Sequence, residues 1–555
     1  MKKIATYTLL SMISCNLLYA APEIGDALRE TQLSSPPQRS KILPVIDYKV
    51  VDSKHLFSNN EKVLVKNFNF IGNSVLSKDE LSLLLQDFQD KELTFNQIDE
   101  AVNKVTDIYR QKGYFLARAY LPVQEIKDHS LSIGVLEGHY GEIQLNNSSS
   151  VNTDVLQNYL NAIDTSTPIS LDSVEKAVLL INDLDRSRIT SARFSKGQEV
   201  GTSNLTIDTA EGDFMEGYVF ADNYGSRYTG YNRLSIGGTV NSLFHLGEKI
   251  SFGGTISNDS GLKSGHLDYA MPVGGYGFVP RVSLFQTYYD LGEEYKSLDA
   301  HGKAYGGSVG ATYHFLKTRG SSLVFTADIK RQFLSDSIDA VSEESKKRST
   351  TFNAGFGWSK ESMIFGIDGK TMVSASWTAG KIDFLNSVDA IADQQGRQIQ
   401  GGFNKINLEA TRLFHLSDSV NLNIYVRGQH VIGKKNLDGS EEMSIGGANG
   451  VRFFSPSEQN GDNGYLYGAE LFYALPNLTD IHSMISLFAD SGKTWQDMPL
   501  DGDIQRRLHD VGIGCYFDYK NFFAKAFVAK EIGNAQILSD KAYETKFLMQ
   551  GGLVF

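Results

Sequence analysis

From Tyr543 to the C-terminal Phe555, every second position carries Tyr543, Thr545, Phe547, Met549, Gly551, Leu553 and Phe555. A period of two belongs to a β-strand, whose successive side chains leave opposite faces. A strand of this pattern, ending on an aromatic, is what the closing strand of a membrane barrel presents to lipid. After the first 20 residues no stretch approaches the roughly 18 apolar residues that a membrane-crossing helix needs. Only helices and closed barrels satisfy their backbone hydrogen bonds inside hydrocarbon. An exported chain of this kind is therefore either soluble or a β-barrel.

The mark of export stands at the other end. Met1 to Ala20 opens with Lys2 and Lys3, runs through a short apolar stretch from Ile4 to Leu18 and ends in Ala20-Ala21. That is the layout of a secretory signal peptide, 1–20, with cleavage expected after Ala20. Met12-Ile13-Ser14 is a poor approach to Cys15 as a lipidation site. Cys15 and Cys515 are the only cysteines, and the first leaves with the signal, so the mature chain is expected to form no internal disulfide. With 53 basic against 65 acidic residues the net charge is −12, which argues against a nucleic-acid partner.

The chain changes character near Glu211. Before it lie helical periodicities; after it come alternating, Gly- and Tyr-rich segments separated by polar loops. In the first part, Ile24, Ala27 and Leu28 predict a short amphipathic helix within 21–35, with a disordered terminus as the alternative reading. Ser35-Pro36-Pro37 ends it, and the polar stretch 36–61 reads as an extended linker. Val63 to Phe70 predicts a strand that turns at Ile71-Gly72-Asn73. Ser77 to Glu80 and Thr94 to Gln97 are capping boxes, each in front of a helix, the second continuing through Ile98, Val102, Val105 and Tyr109. Strands are expected at Tyr114 to Leu121 and Leu131 to Glu137. The same β-α-α-β-β order recurs from Gly141 to Thr209, a degenerate duplication of about 75 residues.

Phe68-Asn69-Phe70-Ile71-Gly72-Asn73-Ser74-Val75-Leu76-Ser77 and Val135-Leu136-Glu137-Gly138 resemble polypeptide-transport-associated (POTRA) domains. Two such modules ahead of a barrel resemble the two-partner secretion transporters (TpsB) of the haemolysin and filamentous-haemagglutinin systems. The resemblance implies a transmembrane β-barrel of about 16 antiparallel strands, 212–555, preceded by an N-terminal plug helix (21–35), POTRA 1 (62–138) and POTRA 2 (139–211). It implies an outer-membrane protein with its POTRA domains in the periplasm. It also implies a secreted β-helical exoprotein (TpsA) encoded nearby as cargo, with outer-membrane lipids, barrel-assembly machinery and periplasmic chaperones as the other partners. Phe555 is then expected to carry the assembly signal of the last strand.

Within 212–555, Leu234, Ile236, Gly238 and Val240 oppose Arg233, Ser235, Gly237 and Thr239, an apolar face for lipid and a polar face for a lumen. Asp222 to Gly230 is similar to the TpsB text at the first hairpin and reads as a turn with no chemistry of its own. Ile445 to Phe454, Gly461 to Tyr465 and Glu470-Leu471 resemble the sixth extracellular loop, which in this superfamily folds back into the lumen. Val451, Arg452 and Phe454 match its V-R-G-F pattern, while Phe453 stands in place of the glycine. Phe488, Asp490 and Gly492 match the F-x-D-x-G strand motif. The resemblance implies that Arg452 engages Asp490 in a bidentate pair that fixes the loop.

The signs of an enzyme are absent from the sequence. Gly306 to Gly310 fits G-x-S-x-G, yet Ala311 to Phe315 continue a strand pattern instead of the helix a nucleophile elbow requires. The histidines lack metal-binding spacing, and no phosphate-binding loop follows a strand, so no catalytic residue, metal or cofactor is expected. Two rival readings differ from secretion. A barrel-assembly factor of the same superfamily usually carries more POTRA modules than the two that fit here, and a diffusion porin generally lacks 200 residues of periplasmic domain.

Overall fold

The computed structural model describes residues 22–32, 44–47, 62–476, 480–503 and 505–555. The expected signal peptide and most of the expected linker lie outside the described residues.

Each N-terminal module condenses around its own core. In the first, Ser77 accepts from Glu80 N at 3.2 Å while the Glu80 carboxylate takes the Ser77 N–H, and Thr94 and Gln97 repeat the arrangement. These boxes start the helices Lys78–Leu84 and Phe95–Gln111. The longer helix buries Ile98, Val102, Val105 and Tyr109 against the parallel pair Asn67–Ile71 and Ser130–Leu136. The single strand expected over Val63 to Phe70 is two, Lys62–Val65 and Asn67–Ile71, because Lys66 N turns aside to His129 O at 2.8 Å. The strand expected from Tyr114 shrinks to Arg118–Tyr120, since Ala117 N closes a turn onto Tyr114 O at 2.9 Å.

The second module repeats the order with His139–Ser148, helices Thr153–Asn161 and Leu171–Asn182, and strands Ser187–Lys196 and Thr202–Glu211. A shared clasp shows the duplication. Glu137 accepts Ser74 N at 2.6 Å, Val75 N at 2.9 Å, Tyr109 OH at 2.7 Å and the Ser74 hydroxyl. Glu211 accepts Ser150 N at 2.6 Å and Ser150 Oγ at 2.8 Å. In both modules the last strand leads into a Glu-Gly pair whose carboxylate is stitched to the turn after Asn67–Ile71 in one and after His139–Ser148 in the other. The linker expected over 36–61 is not wholly unpaired: Ile46–Asp47 joins the second module's sheet in parallel with Ser187–Lys196. Its missing periodicity hid a two-residue strand.

Among the described residues, sixteen antiparallel strands close into a barrel, from Met215–Asp222 to Lys546–Val554. Closure is direct: Gly217 N donates to Phe555 O at 2.7 Å, Phe555 N donates back at 2.9 Å, and Val219 faces Leu553. Leu234 and Ile236 are exposed on the outer wall while Arg233 and Ser235 are buried inside, as the alternation requires. The outward face of the last strand carries Phe547, Met549 and Leu553. Tyr543 departs from that face; it precedes the strand and its hydroxyl donates to Phe453 O at 2.9 Å. Strands such as Ser321–Ile338 and Glu343–Glu361, of 18 and 19 residues, outrun the roughly 9 to 11 that cross a membrane. Gly306 to Gly310 lies within the strand Ala300–Lys317, so no nucleophile elbow forms.

The second module is seated on the turns at one end of the barrel, those near His245 and Arg319. Asn152 N donates to His245 O at 2.8 Å, and the His245 ring meets Ser150 O at 2.7 Å. Lys249 pairs with Asp185, Lys317 with Asp183, and Arg319 Nε lies 3.2 Å from Glu175.

Candidate functional site

The loop 432–462 leaves the strand Val420–Val431 and returns to Asn463–Ala474 by way of the lumen. Its tip is a tight fold. Val451 N donates to Ile445 O at 2.7 Å and Gly447 N donates to Phe454 O at 2.9 Å. Gly447 has φ +92°, a conformation open to glycine and costly for other residues. Val451 and Phe454 are both buried, with Ile445, in one apolar cluster with Phe488, Leu508 and Phe527 of the wall.

Arg452 projects from this tip into the barrel wall. Its Nη2 donates to Glu470 Oε2 at 2.6 Å, and its Nε lies 3.4 Å from Asp490 Oδ2. The guanidinium sits over the Phe488 ring, 3.9 Å from its centroid, and 4.8 Å from that of Phe527. A planar cation between two aromatic faces and two carboxylates uses what distinguishes arginine from lysine. The expected bidentate pair with Asp490 is replaced by a bridge in which Glu470 takes the hydrogen bond. The reason is local. Asp490 Oδ1 already accepts Tyr425 OH at 2.6 Å, whereas Glu470 Oε2 faces the guanidinium while its Oε1 accepts Ser486 Oγ at 2.6 Å and Tyr516 OH at 2.7 Å. Gly492 leaves room for the loop: a side chain there would meet Ile445 at 3.2 Å and Tyr465 O at 3.0 Å.

Phe453, in the place of the family glycine, has no left-handed backbone and so incurs no conformational cost. Its N–H donates to Asp510 Oδ2 at 2.6 Å, and its ring lies 5.0 Å from those of both Phe454 and Tyr543. The loop tip is thereby packed against the segment before the last strand.

Sequence reasoning missed the rest of the clasp. Lys347 of the wall pairs with Asp438 at 2.7 Å, and Lys405 with Glu441 at 2.9 Å. Both lysines are almost fully buried. The signal was available, since a lysine on the inward face of a barrel strand needs a lumenal partner.

The helix Ile24–Gln32 lies inside the barrel beside the loop. Ile24, Ala27 and Leu28 pack on Leu262, Tyr289, Ala304 and Leu334 of the inner wall. Ile24 N donates to Asp336 at 2.8 Å, Arg29 donates to Gly439 O of the loop, and Asn460 donates to Asp26 at 3.0 Å. Gly25 is required by close approach, because a Cβ there would stand 2.4 Å from Gly439 C. The first hairpin is not the inert turn expected of Asp222 to Gly230: Thr229 Oγ1 donates to Glu30 at 2.7 Å, and Arg233, paired with Asp222, donates to Glu30 O at 2.7 Å. Beside helix and loop the lumen keeps a cavity of about 630 Å³, bordered by Arg29, Thr326, Gly355, Ser374, Ser376 and Arg427. Among the described residues no group of three or more potential metal ligands gathers.

A closed sixteen-stranded barrel with a loop folded into its lumen, a helix beside that loop and two β-α-α-β-β modules packed on the turns at one end defines a membrane β-barrel with a filled lumen and an N-terminal module pair. The family model described as haemolysin secretion/activation protein ShlB/FhaC/HecB matches residues 201–515, and that of the ShlB-type POTRA domain matches 63–138. The chain belongs to the ShlB/FhaC/HecB family, the TpsB transporters of the outer membrane, whose POTRA domains lie in the periplasm. It is 29% identical to the heme/hemopexin transporter protein HuxB of Haemophilus influenzae, over 84% of this chain and 83% of that one. It is 25% identical to the hemolysin transporter protein ShlB of Serratia marcescens, over 85% and 82%. Among solved structures, CdiB from Escherichia coli superposes with a TM-score of 0.75 at 18% identity, covering 99% of each chain, which speaks for the fold. Family members are transporters and pair with secreted TpsA exoproteins.

Proposed function

We propose that this transporter captures an unfolded TpsA-type exoprotein in the periplasm through its POTRA domains and secretes it through the barrel lumen. The observation that carries the reading is the lumen itself, occupied by a helix and a loop that are each anchored to the wall by polar contacts at a few points. Such anchors hold a resting state closed and are released without unfolding the barrel. Exposed sheet edges in the POTRA modules suit an extended cargo, because main-chain hydrogen bonds supply affinity without a folded partner. The sequence offers no nucleotide site, so folding of the cargo outside the cell biases movement outward.

The 83% coverage of HuxB, whose name makes it a heme/hemopexin transporter, favours a haem-acquisition exoprotein as cargo. Outer-membrane lipids surround the wall, and barrel-assembly machinery and periplasmic chaperones act in biogenesis. The deciding experiment co-expresses the chain with the large exoprotein encoded beside its gene. Release of that exoprotein to the medium only when the transporter is present supports the reading. Retention of the exoprotein, together with loss of other outer-membrane barrels on deletion of this chain, rejects it in favour of an assembly factor.

A further inference from the structure

The outer wall of the barrel carries a charge pattern that faces neither the lumen nor the modules. On the adjoining strands Ala300–Lys317, Ser321–Ile338, Glu343–Glu361 and Gly369–Phe384, outward positions alternate with lumenal ones, and the register sets the outward ones side by side. Tyr305, Phe315, Ile329, Phe352 and Trp377 are all exposed on this outer face. Toward the end away from the modules it is rimmed by aromatic pairs. Tyr305 stacks on Phe333 with centroids 5.3 Å apart, and Phe352 meets Trp377 edge-on at 6.0 Å. Tyr305 and Phe315, ten residues apart on one strand tilted by about 40°, span about 26 Å of height, close to the apolar band of about 25 Å. The aromatic pairs therefore mark the edge of the membrane on the side away from the periplasm.

Beyond that edge the face turns cationic. Lys303 is the next outward residue past Tyr305, Arg348 and Lys346 stand past Phe352, and Lys381 stands past Trp377. Arg331 lays its guanidinium over the Phe333 ring, 5.8 Å from the centroid. Two carboxylates share the patch. Lys346 lies 2.7 Å from Glu344, which also feels the charge of Lys303, and Asp383 takes Arg348 at 2.8 Å and Lys381 at 2.7 Å. Five cations against two carboxylates leave a surplus of three positive charges among the described residues of this rim. The side chain of Lys381 is 62% exposed and that of Lys346 49%, so each ammonium keeps room for a further anion.

The size and charge of that anion follow from the patch. Four strands about 4.8 Å apart spread the cations over about 14 Å, too wide for one phosphate to touch them all. A phosphodiester carries a single negative charge, whereas a phosphomonoester carries about 1.5 to 2, so two monoesters match the surplus. Outward side chains at the membrane edge meet lipid headgroups, and an arginine fork suits phosphate oxygens. We propose that this rim binds an outer-leaflet lipid whose headgroup bears two phosphomonoesters. Arg348 and Lys381 hold one phosphate beside Asp383, Lys303 and Lys346 hold the other beside Glu344, and Arg331 stands on the strand between them. The proposal rests on the wall of the barrel and on its place in the outer membrane, and it requires no particular cargo.

The test titrates lipid into the purified full chain in neutral detergent and reads bound copies by native mass spectrometry. The probe is bis-phosphorylated lipid A, compared with its monophosphorylated form and with phosphatidylglycerol. The bis-phosphorylated form should bind about tenfold more tightly than either, as the added charge at a cationic surface requires. R331Q/R348Q/K381Q, checked for heat-modifiable mobility, should lose about that factor. Lys360→Gln, on the outer face of the same wall at the module end, should bind like the parent. Equal affinity of the parent for the two forms of lipid A overturns the proposal whether or not the triple variant folds. Unchanged binding by the folded triple variant, or an equal loss in Lys360→Gln, overturns the location. Displacement of the lipid by inorganic phosphate at the same concentration overturns the lipid as ligand. None of these measurements uses the exported protein, so failure here leaves the secretion reading to its own assay.

Discussion

Arg452 hands its hydrogen bond to Glu470 at 2.6 Å and leaves Asp490, the partner that the family resemblance implies, at 3.4 Å from the same guanidinium. One cation therefore serves two carboxylates on neighbouring strands, Asn463–Ala474 and Ile481–Trp495.

Removal of that cation leaves two buried carboxylates unpaired, a loss on the order of 3–5 kcal/mol. Arg452→Ala should leave the barrel in the membrane and sharply reduce secretion. Glu470→Ala and Asp490→Ala should each reduce it, and combining either with Arg452→Ala should add little, since the cation is already gone. Secretion at matched barrel abundance checks this; additive losses would show that the three residues act separately.

Gly25 and Gly439 offer a test of the helix that needs no deletion. Gly25→Val would drive a side chain into the Gly439 backbone and unseat the helix from the loop. Single-channel conductance should rise while heat-modifiable mobility of the folded barrel stays normal. Unchanged conductance would mean that the helix does not close the pore.

Glu137 sets a pH limit on the first POTRA module. Burial pushes its carboxyl upward, but donors from Ser74, Val75 and Tyr109 outweigh that and hold it below the ordinary carboxylate range. A depressed folded value means that the stabilisation is complete above the unfolded value, about 4.3, and is lost as pH falls through the folded one. Glu137→Gln should cost about 1–3 kcal/mol at neutral pH, because the donors keep only a neutral partner. It should also flatten the stability loss of the periplasmic fragment 62–211 below about pH 4.5. Thermal melting across pH 3 to 7 distinguishes the two proteins.

Phe555 closes the ring through its backbone to Gly217, with its aromatic ring lying where a side chain on Gly217 would stand. Deleting Phe555 should lower the outer-membrane level of the heat-modifiable barrel several-fold, read by immunoblot of membrane fractions. Wild-type abundance would assign assembly to other residues.

The barrel and the modules were legible because each repeats a period: two for the strands, steps of three and four for Ile98 to Tyr109, and capping boxes at Ser77 and Thr94. Arg452 was legible as a motif, but its geometry was not. Choosing Glu470 over Asp490 depends on which oxygen Tyr425 occupies, a contact across three strands that no local pattern encodes. Ile46–Asp47 escaped because two residues carry no period. Thr229 escaped because a hydroxyl in a turn reads as a turn former until Glu30 lies against it.

The ring is not equally strong around its circumference. Ser321–Ile338 and Glu343–Glu361 are joined by eighteen opposed residue pairs, from Ser321 and Lys360 to Ile338 and Glu343. The seam between the first strand and the last has five, from Tyr218 and Val554 to Asp222 and Gln550, beside the doubled bond of Gly217 and Phe555. A load that stretches the wall is shared along the long ladders and concentrates where few rungs carry it. Seen as a mechanical hoop, the protein has a stiff arc on one side and a clasp on the other, and its bore yields first at the clasp.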